Sequence, residues 1–198
     1  MARETQGPTA QGTEEPEYQL WEPLDPDVGG VFRGVSAEDA AYRDRARTFV
    51  QEEVRPVIAG IWDRAEYPLD LARRLGELDL LRDGIDVPGF PHQSLLAASL
   101  TMMELARGDG SIATIAGVQG GLALRSIALC GSDAQKERWF EPLARGTELG
   151  AFALTEPTHG SDSVSLETRA ESVDGGFVPN GHKTWTGPGS VGPTPVAR

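Results

Sequence analysis

The chain has 198 residues, of which 39% are apolar, and 30 acidic against 18 basic side chains leave a net charge of −12. That length and apolar content allow one or two domains around a modest core, and the acid excess, with no basic patch, argues against nucleic acid or an anionic membrane as partner. It does not exclude a nucleotide, because phosphates can be held by backbone N–H groups and hydroxyls.

Residues 1–35, with Pro8, Pro16, Pro23, Pro26 and Gly29-Gly30 among acidic neighbours, have the composition of a flexible N-terminal arm. The basic-then-apolar layout of a secretory signal is absent, and no continuous apolar run along the chain is expected to be long enough to cross a bilayer, so a soluble, cytoplasmic protein is expected. From Ser36 the pattern changes. Ser36 and Asp39 resemble a capping box with the shorter acid, and Tyr42, Ala46, Phe49, Val50, Val54, Val57, Ile58 and Ile61 recur at helical spacing, which predicts an amphipathic helix bent at Pro56.

A second helix is predicted from Pro68 to Leu81, with Leu71, Leu75 and Leu78 on one face and Asp83-Gly84 and Pro88-Gly89 breaking it. Leu95 to Arg107 is apolar on most sides, the pattern of a buried central helix, with its Met pair read as packing. Ile112 to Cys130 is a long segment rich in Ala and Gly, whose small residues allow another backbone or a flat ligand to approach closely; close helix packing is the plainer reading. Cys130 is the only cysteine, so no internal disulfide can form, and its apolar neighbours suggest a buried thiol. Ser132 is placed to cap a helix over DAQKERWFEPLARG that ends at Gly146.

After Gly146 the period becomes extended. ELGAFALT alternates loosely, Glu171 to Val178 is interrupted by Asp174-Gly175-Gly176, and Asn180-Gly181 forms a turn dipeptide before HKTW. The expected fold class is therefore α+β, an all-helical bundle over 36–147 followed by an incomplete antiparallel β-domain over 148–198 that is disrupted after 185. Between the two lies Ala153-Leu154-Thr155-Glu156-Pro157-Thr158-His159-Gly160-Ser161-Asp162, a loop able to present N–H and O–H donors to an anion or cofactor, or simply to turn the chain.

The stretch GAFALTEPTHGSDSVSLETRA is similar to the flavin loop of acyl-CoA dehydrogenases, with its Thr-Glu-Pro, Gly-Ser-Asp and later Glu-Thr-Arg. GSDAQKERWFEPLARG resembles the helix that precedes this loop in that family, ELARGDGSIATIAGVQGGLAL the helix pair beneath its substrate cavity, and NGHKTW its second flavin-contacting strand. The likeness runs in the family's order over roughly residues 36 to 185, closest to the glutaryl-CoA dehydrogenase branch.

The resemblance implies an FAD-dependent oxidoreductase that removes a proton at Cα of an acyl-CoA thioester while a hydride leaves Cβ for the flavin. It implies that Phe152, Leu154 and Thr155 lie along the isoalloxazine ring, that Ser161 meets both flavin and acyl-CoA, and that Trp185 packs on the flavin. A strand tryptophan in a core is the plainer reading of Trp185. Thr114 matches a substrate-contacting position, and Ala113 stands where the glutaryl branch carries an arginine, which argues for an uncharged short or medium acyl group. Glu156 is implied to be loop architecture, His159 to shape the loop, and no residue is assigned to catalysis or to a metal.

The family's base is a glutamate from a helical domain that follows the β-domain. WTGPGSVGPTPVAR replaces the family's continuing strand. A truncated or frame-disrupted product is therefore expected, with Thr186 and Gly187 in doubt as flavin contacts, and unpaired strand edges favouring aggregation or partial disorder. The implied partners are acyl-CoA, an electron-acceptor protein, and a second copy or full-length relative. Two competing readings stay open: a non-catalytic fragment or partner subunit, and a flavin or acyl-CoA binder without turnover.

Overall fold

In a computed structural model the chain divides into two compact units, 1–34 and 35–198. The structure describes Asp27 and residues 29–187. In the first unit, Asp27 accepts from the amides of Val31 and Phe32 and so caps a single 3-10 turn, Val31–Gly34. The remainder of the expected arm, and the stretch from residue 188 on, lie outside the described residues.

The second unit opens with helix α1, Ala37–Phe49, whose N-cap Ser36 accepts from the Asp39 amide at 3.1 Å while its hydroxyl donates to the Asp39 carboxylate. The helix continues through a π-helical segment, Val50–Val54, breaks around Pro56, and resumes as α2, Ile58–Asp63. Helix α3, Leu69–Glu77, is shorter than expected. It ends because Asp79 adopts φ +56 and delivers its carboxylate to Arg82 at 2.6 and 2.8 Å, with the Tyr42 hydroxyl donating to the same carboxylate. Arg82 is fully buried, and its remaining donors go to the Ile85 carbonyl and the Tyr42 hydroxyl oxygen, as a charge withdrawn from water requires.

Helix α4, Leu95–Gly108, is capped by Ser94 and packs along α1, where the Val50 side chain occupies the space a Cβ on Gly108 would need. It is not buried on all sides: Ala97, Ala98, Leu100 and Leu105 face the core, while Leu95, Leu96 and Met103 are exposed. Asp109 then accepts from the amides of Ser111 and Ile112 and starts α5, Gly110–Ala116, which runs through a π-helical segment, Gly117–Leu124, into α6, Arg125–Cys130. This continuous run of 21 residues is, by length and composition alone, apolar enough to cross a membrane, which corrects the expectation that no run would be. Its Ile112, Ile115 and Leu124 are buried inside the bundle, the arrangement of a core helix in a helical domain.

Cys130 is exposed, against expectation, because the last turn of α6 leaves Leu129 and Cys130 outside the packed face. Helix α7, Asp133–Ala144, carries a full capping box from Ser132 and Gln135, and Gly146 closes it at φ +66. The core lies in two clusters. One is centred on Phe49, Leu75, Leu105 and Ile112 between α1, α3, α4 and α5; the other gathers Ile85, Val87, Leu124 and Leu143 under α6 and α7. Full burial of Phe49 or Leu75 contributes about 2–3 kcal/mol each.

Two strands, β1 (Arg169–Val173) and β2 (Gly176–Asn180), form an antiparallel hairpin in which Arg169 pairs with Asn180 and Val173 with Gly176. The turn is at Asp174-Gly175, with Gly175 at φ +85, and not at Asn180-Gly181. Gly181 serves close approach instead, since a Cβ there would stand 2.2 Å from the Thr168 hydroxyl. Residues 148–155 and the HKTW stretch are not strands. Extended chain becomes strand only with a ladder, and these segments share one backbone bond, from the Thr184 amide to the Thr155 carbonyl at 2.9 Å.

Candidate functional site

The helical unit anchors the loop at one point. Gln119, buried on the π-helical segment, donates from Nε2 to the Gly150 carbonyl at 2.8 Å and accepts from the Gly150 amide at 2.7 Å. Close approach of backbones accompanies this tie: a Cβ on Gly150 would meet Ala123 at 2.5 Å, and one on Gly120 the Leu81 carbonyl at 2.2 Å. The small residues of this helix thus admit the backbone of two non-helical segments, at Leu81 and at Gly150, where close packing of helices is the plainer expectation.

Beyond Gly150 the loop is organised by Glu156, which is 4% exposed. Its carboxylate accepts from the Glu167 amide at 2.6 Å, the Thr168 amide at 2.9 Å and Lys183 Nζ at 2.8 Å. Those donors, Lys183 first, then Thr168 and Glu167, hold its carboxyl well below the ordinary carboxylate range. Lys183 Nζ also donates to the Leu154 carbonyl at 2.9 Å, and Glu156 and His159 exchange both backbone hydrogen bonds. The half-buried His159 sits 3.3 Å from the Glu167 carboxylate.

The consecutive carbonyls of Leu154, Thr155 and Glu156 are therefore all occupied, by Lys183 Nζ, the Thr184 amide and the His159 amide. The amides of Leu154 and Thr155 donate to no acceptor among the described residues. Around these donors, Phe152 and Leu154 are 36% and 38% exposed, and Trp185, at φ +57, is 91% exposed. Trp185 is thus a bulky residue in the left-handed region with its ring in water. This answers the plainer reading, since Trp185 is in no core. Ser161 is exposed on the same loop.

Thr114 is exposed on α5, its hydroxyl donating to the Gly110 carbonyl at 2.9 Å. It lines a groove of about 300 Å³ with Tyr67, Ser111, Ile115, Val118 and Gly187. Ser111, Thr114, Ile115 and Val118 share one helix face, a spacing legible in the sequence but not singled out there. Tyr67 could not be found that way, because only the chain's return past Pro68 brings it across. Burial pushes the Tyr67 hydroxyl up to about 12. Ala113 is 7% exposed in the core and does not line the groove. Gly187 does, so the groove ends two residues from Trp185.

A helical domain whose π-helical segment pins a loop of donors and exposed apolar side chains thus leads into a short antiparallel hairpin. Residues 36–147 match the family described as acyl-CoA dehydrogenase, N-terminal domain, and the chain belongs to that family. It is 37% identical over 151 residues to the benzylmalonyl-CoA dehydrogenase of Aromatoleum aromaticum, covering 75% of this chain and 40% of that protein. Its structure is similar to that of glutaryl-CoA dehydrogenase from Mycobacterium smegmatis, with TM-score 0.75 and 39% identity, over 82% of this chain and 42% of that one. A second Mycobacterium smegmatis glutaryl-CoA dehydrogenase structure, in complex with FADH2, matches with TM-score 0.75 and 31% identity, over 79% of this chain and 40% of that one. The chain thus spans about 40% of the length of these relatives.

Proposed function

We propose that this chain provides the flavin- and acyl-facing front of an acyl-CoA dehydrogenase, whose FAD, when bound, would supply the acceptor for a hydride from Cβ of an uncharged short or medium acyl-CoA. The observation that carries this reading is the meeting of two surfaces: the groove lined by Thr114 on the helical side reaches Gly187, beside the exposed Trp185. The residues present fit a flavin. Phe152, Leu154 and Trp185 offer apolar faces to a flat ring, and the amides of Leu154 and Thr155, with the Thr155 and Ser161 hydroxyls, offer donors to its polar edge. Tyr67, Ile115 and Val118 bind the acyl chain and exclude water, and Thr114 orients it. Among the described residues no lysine or arginine lines the groove, and its one charged residue is Glu66, paired with Arg64 at 2.9 Å, which supports an uncharged acyl group over one with a distal carboxylate. The proton at Cα is assigned to a carboxylate other than Glu66, whose oxygen is held by Arg64, and electrons leave to an acceptor protein.

Among the described residues the one carboxylate lining the groove is Glu66, paired with Arg64, and this favours one second reading: a flavin and acyl-CoA binder without turnover. The experiment is the visible spectrum of the purified chain after addition of FAD and then of butyryl-CoA or octanoyl-CoA under anaerobic conditions. Retained flavin that bleaches supports the dehydrogenase, retained flavin that does not bleach supports the binder, and no retained flavin refutes both.

A further inference from the structure

We propose that the Glu156–Lys183 ion pair is a positioning device for the flavin-facing loop, an inference that rests on the functional reading above. The pair ties the loop to both flanks of the β1–β2 hairpin, which no strand of the loop reaches. Glu156 belongs to the loop, its carboxylate takes the amides of Glu167 and Thr168 at the entrance to β1, and Lys183 lies beyond the end of β2. Lys183 also holds the Leu154 carbonyl, and its neighbour Thr184 holds that of Thr155.

Residues 151–168 contain no helix or strand, so their order rests on a few backbone bonds, at Thr155, Glu156, His159 and Ser165, and on side-chain ties of this kind. At 3% and 21% side-chain exposure, the two charges are shielded enough for the tie to be strong. Its consequence is directional. With the carbonyls of Leu154, Thr155 and Glu156 engaged on the protein side, the loop is left to present amides, hydroxyls and apolar side chains to a ligand. Neutralising either partner frees the Leu154 and Thr155 backbone to rotate, and a ring seated there loses both its platform and its donors.

The test uses the full 198-residue chain with Glu156→Gln, Lys183→Met, the double variant and Lys183→Arg. FAD is titrated by its absorption spectrum, and exchange of the Glu167 and Thr168 amides is followed by NMR. Each neutralising variant is expected to weaken FAD binding roughly tenfold or more, as loss of a charge-assisted hydrogen bond implies, and to speed exchange of both amides. The double variant should lose no more than the worse single one, and Lys183→Arg should restore most of the binding and the shape of the bound-flavin band. The helical circular-dichroism transition should be unmoved, which separates positioning from misfolding. Equal FAD binding by wild type and neutralised variants, or unchanged amide exchange, overturns the proposal and leaves the flavin reading standing. No FAD binding by the wild type overturns the reading itself, and the positioning role with it.

Discussion

Glu156 and Glu104 are buried carboxylates with different duties, and each is open to measurement. Because the Glu156 carboxyl is held below the ordinary glutamate value of 4.5 in the folded loop, its stabilisation is fully present above that pH. It is lost as pH falls through the folded value. A carbon NMR titration should give Glu156 a midpoint clearly below 4.5, with the Glu167 and Thr168 amides losing protection in step; a midpoint at 4.5 or higher would sink the argument. Glu104 is 1% exposed and accepts from Arg47 at 2.8 Å and from Arg107 at 2.6 and 2.9 Å. Burial raises its carboxyl, and the two arginines more than offset this, leaving it lowered. Glu104→Ala should cost the helical unit about 3 kcal/mol in urea denaturation, the low end for breaking a buried pair, since the arginines keep 31% and 39% of their side chains in water.

At the scale of elements, the bundle depends on a few positions where backbones nearly touch. A Cβ on Gly76 of α3 would stand 2.2 Å from the carbonyl of Arg145 at the end of α7, and neither atom belongs to a flexible side chain. Gly76→Ala should therefore destabilise the helical unit by about 3 kcal/mol, the upper part of the overpacking range, seen as a lower urea midpoint with little change in slope. The helices themselves were legible from Ser36, Ser132 and Gly146, whose cap chemistry is local. The early end of α3 was not, because Asp79 leaves the helix to meet Arg82 and Tyr42, a partner 37 residues away. Leu95, Leu96 and Met103 likewise look like core on composition, and only the placement of α1 against the other face of α4 decides that they are not.

At the scale of the whole molecule, order is uneven. The helical unit has two buried clusters, whereas every residue of β1 and β2 is exposed. A two-stranded sheet with no buried face is marginal in water. Amide exchange should separate them: protection in α4 and α5 at the level of global unfolding, and exchange across Arg169–Asn180 faster by orders of magnitude. Uniform protection through the hairpin and the bundle would show that the two unfold together.

The sequence by itself determined the family, the helical unit and its caps, and the loop in which Phe152, Leu154, Thr155 and Ser161 stand, because caps, periodicity and a run of loop residues are contiguous in the chain. The tertiary structure alone decided that Glu156 is tied by Lys183 and that Gln119 holds Gly150. It also decided that Tyr67 and Gly187 complete the groove on which Thr114 sits, and that Asn180 pairs in a strand while Asp174-Gly175 makes the turn. Apart from the local turn at Asp174-Gly175, each of those facts joins residues apart in sequence, and a burial or a hydrogen bond between such residues exists only once the chain has brought them together.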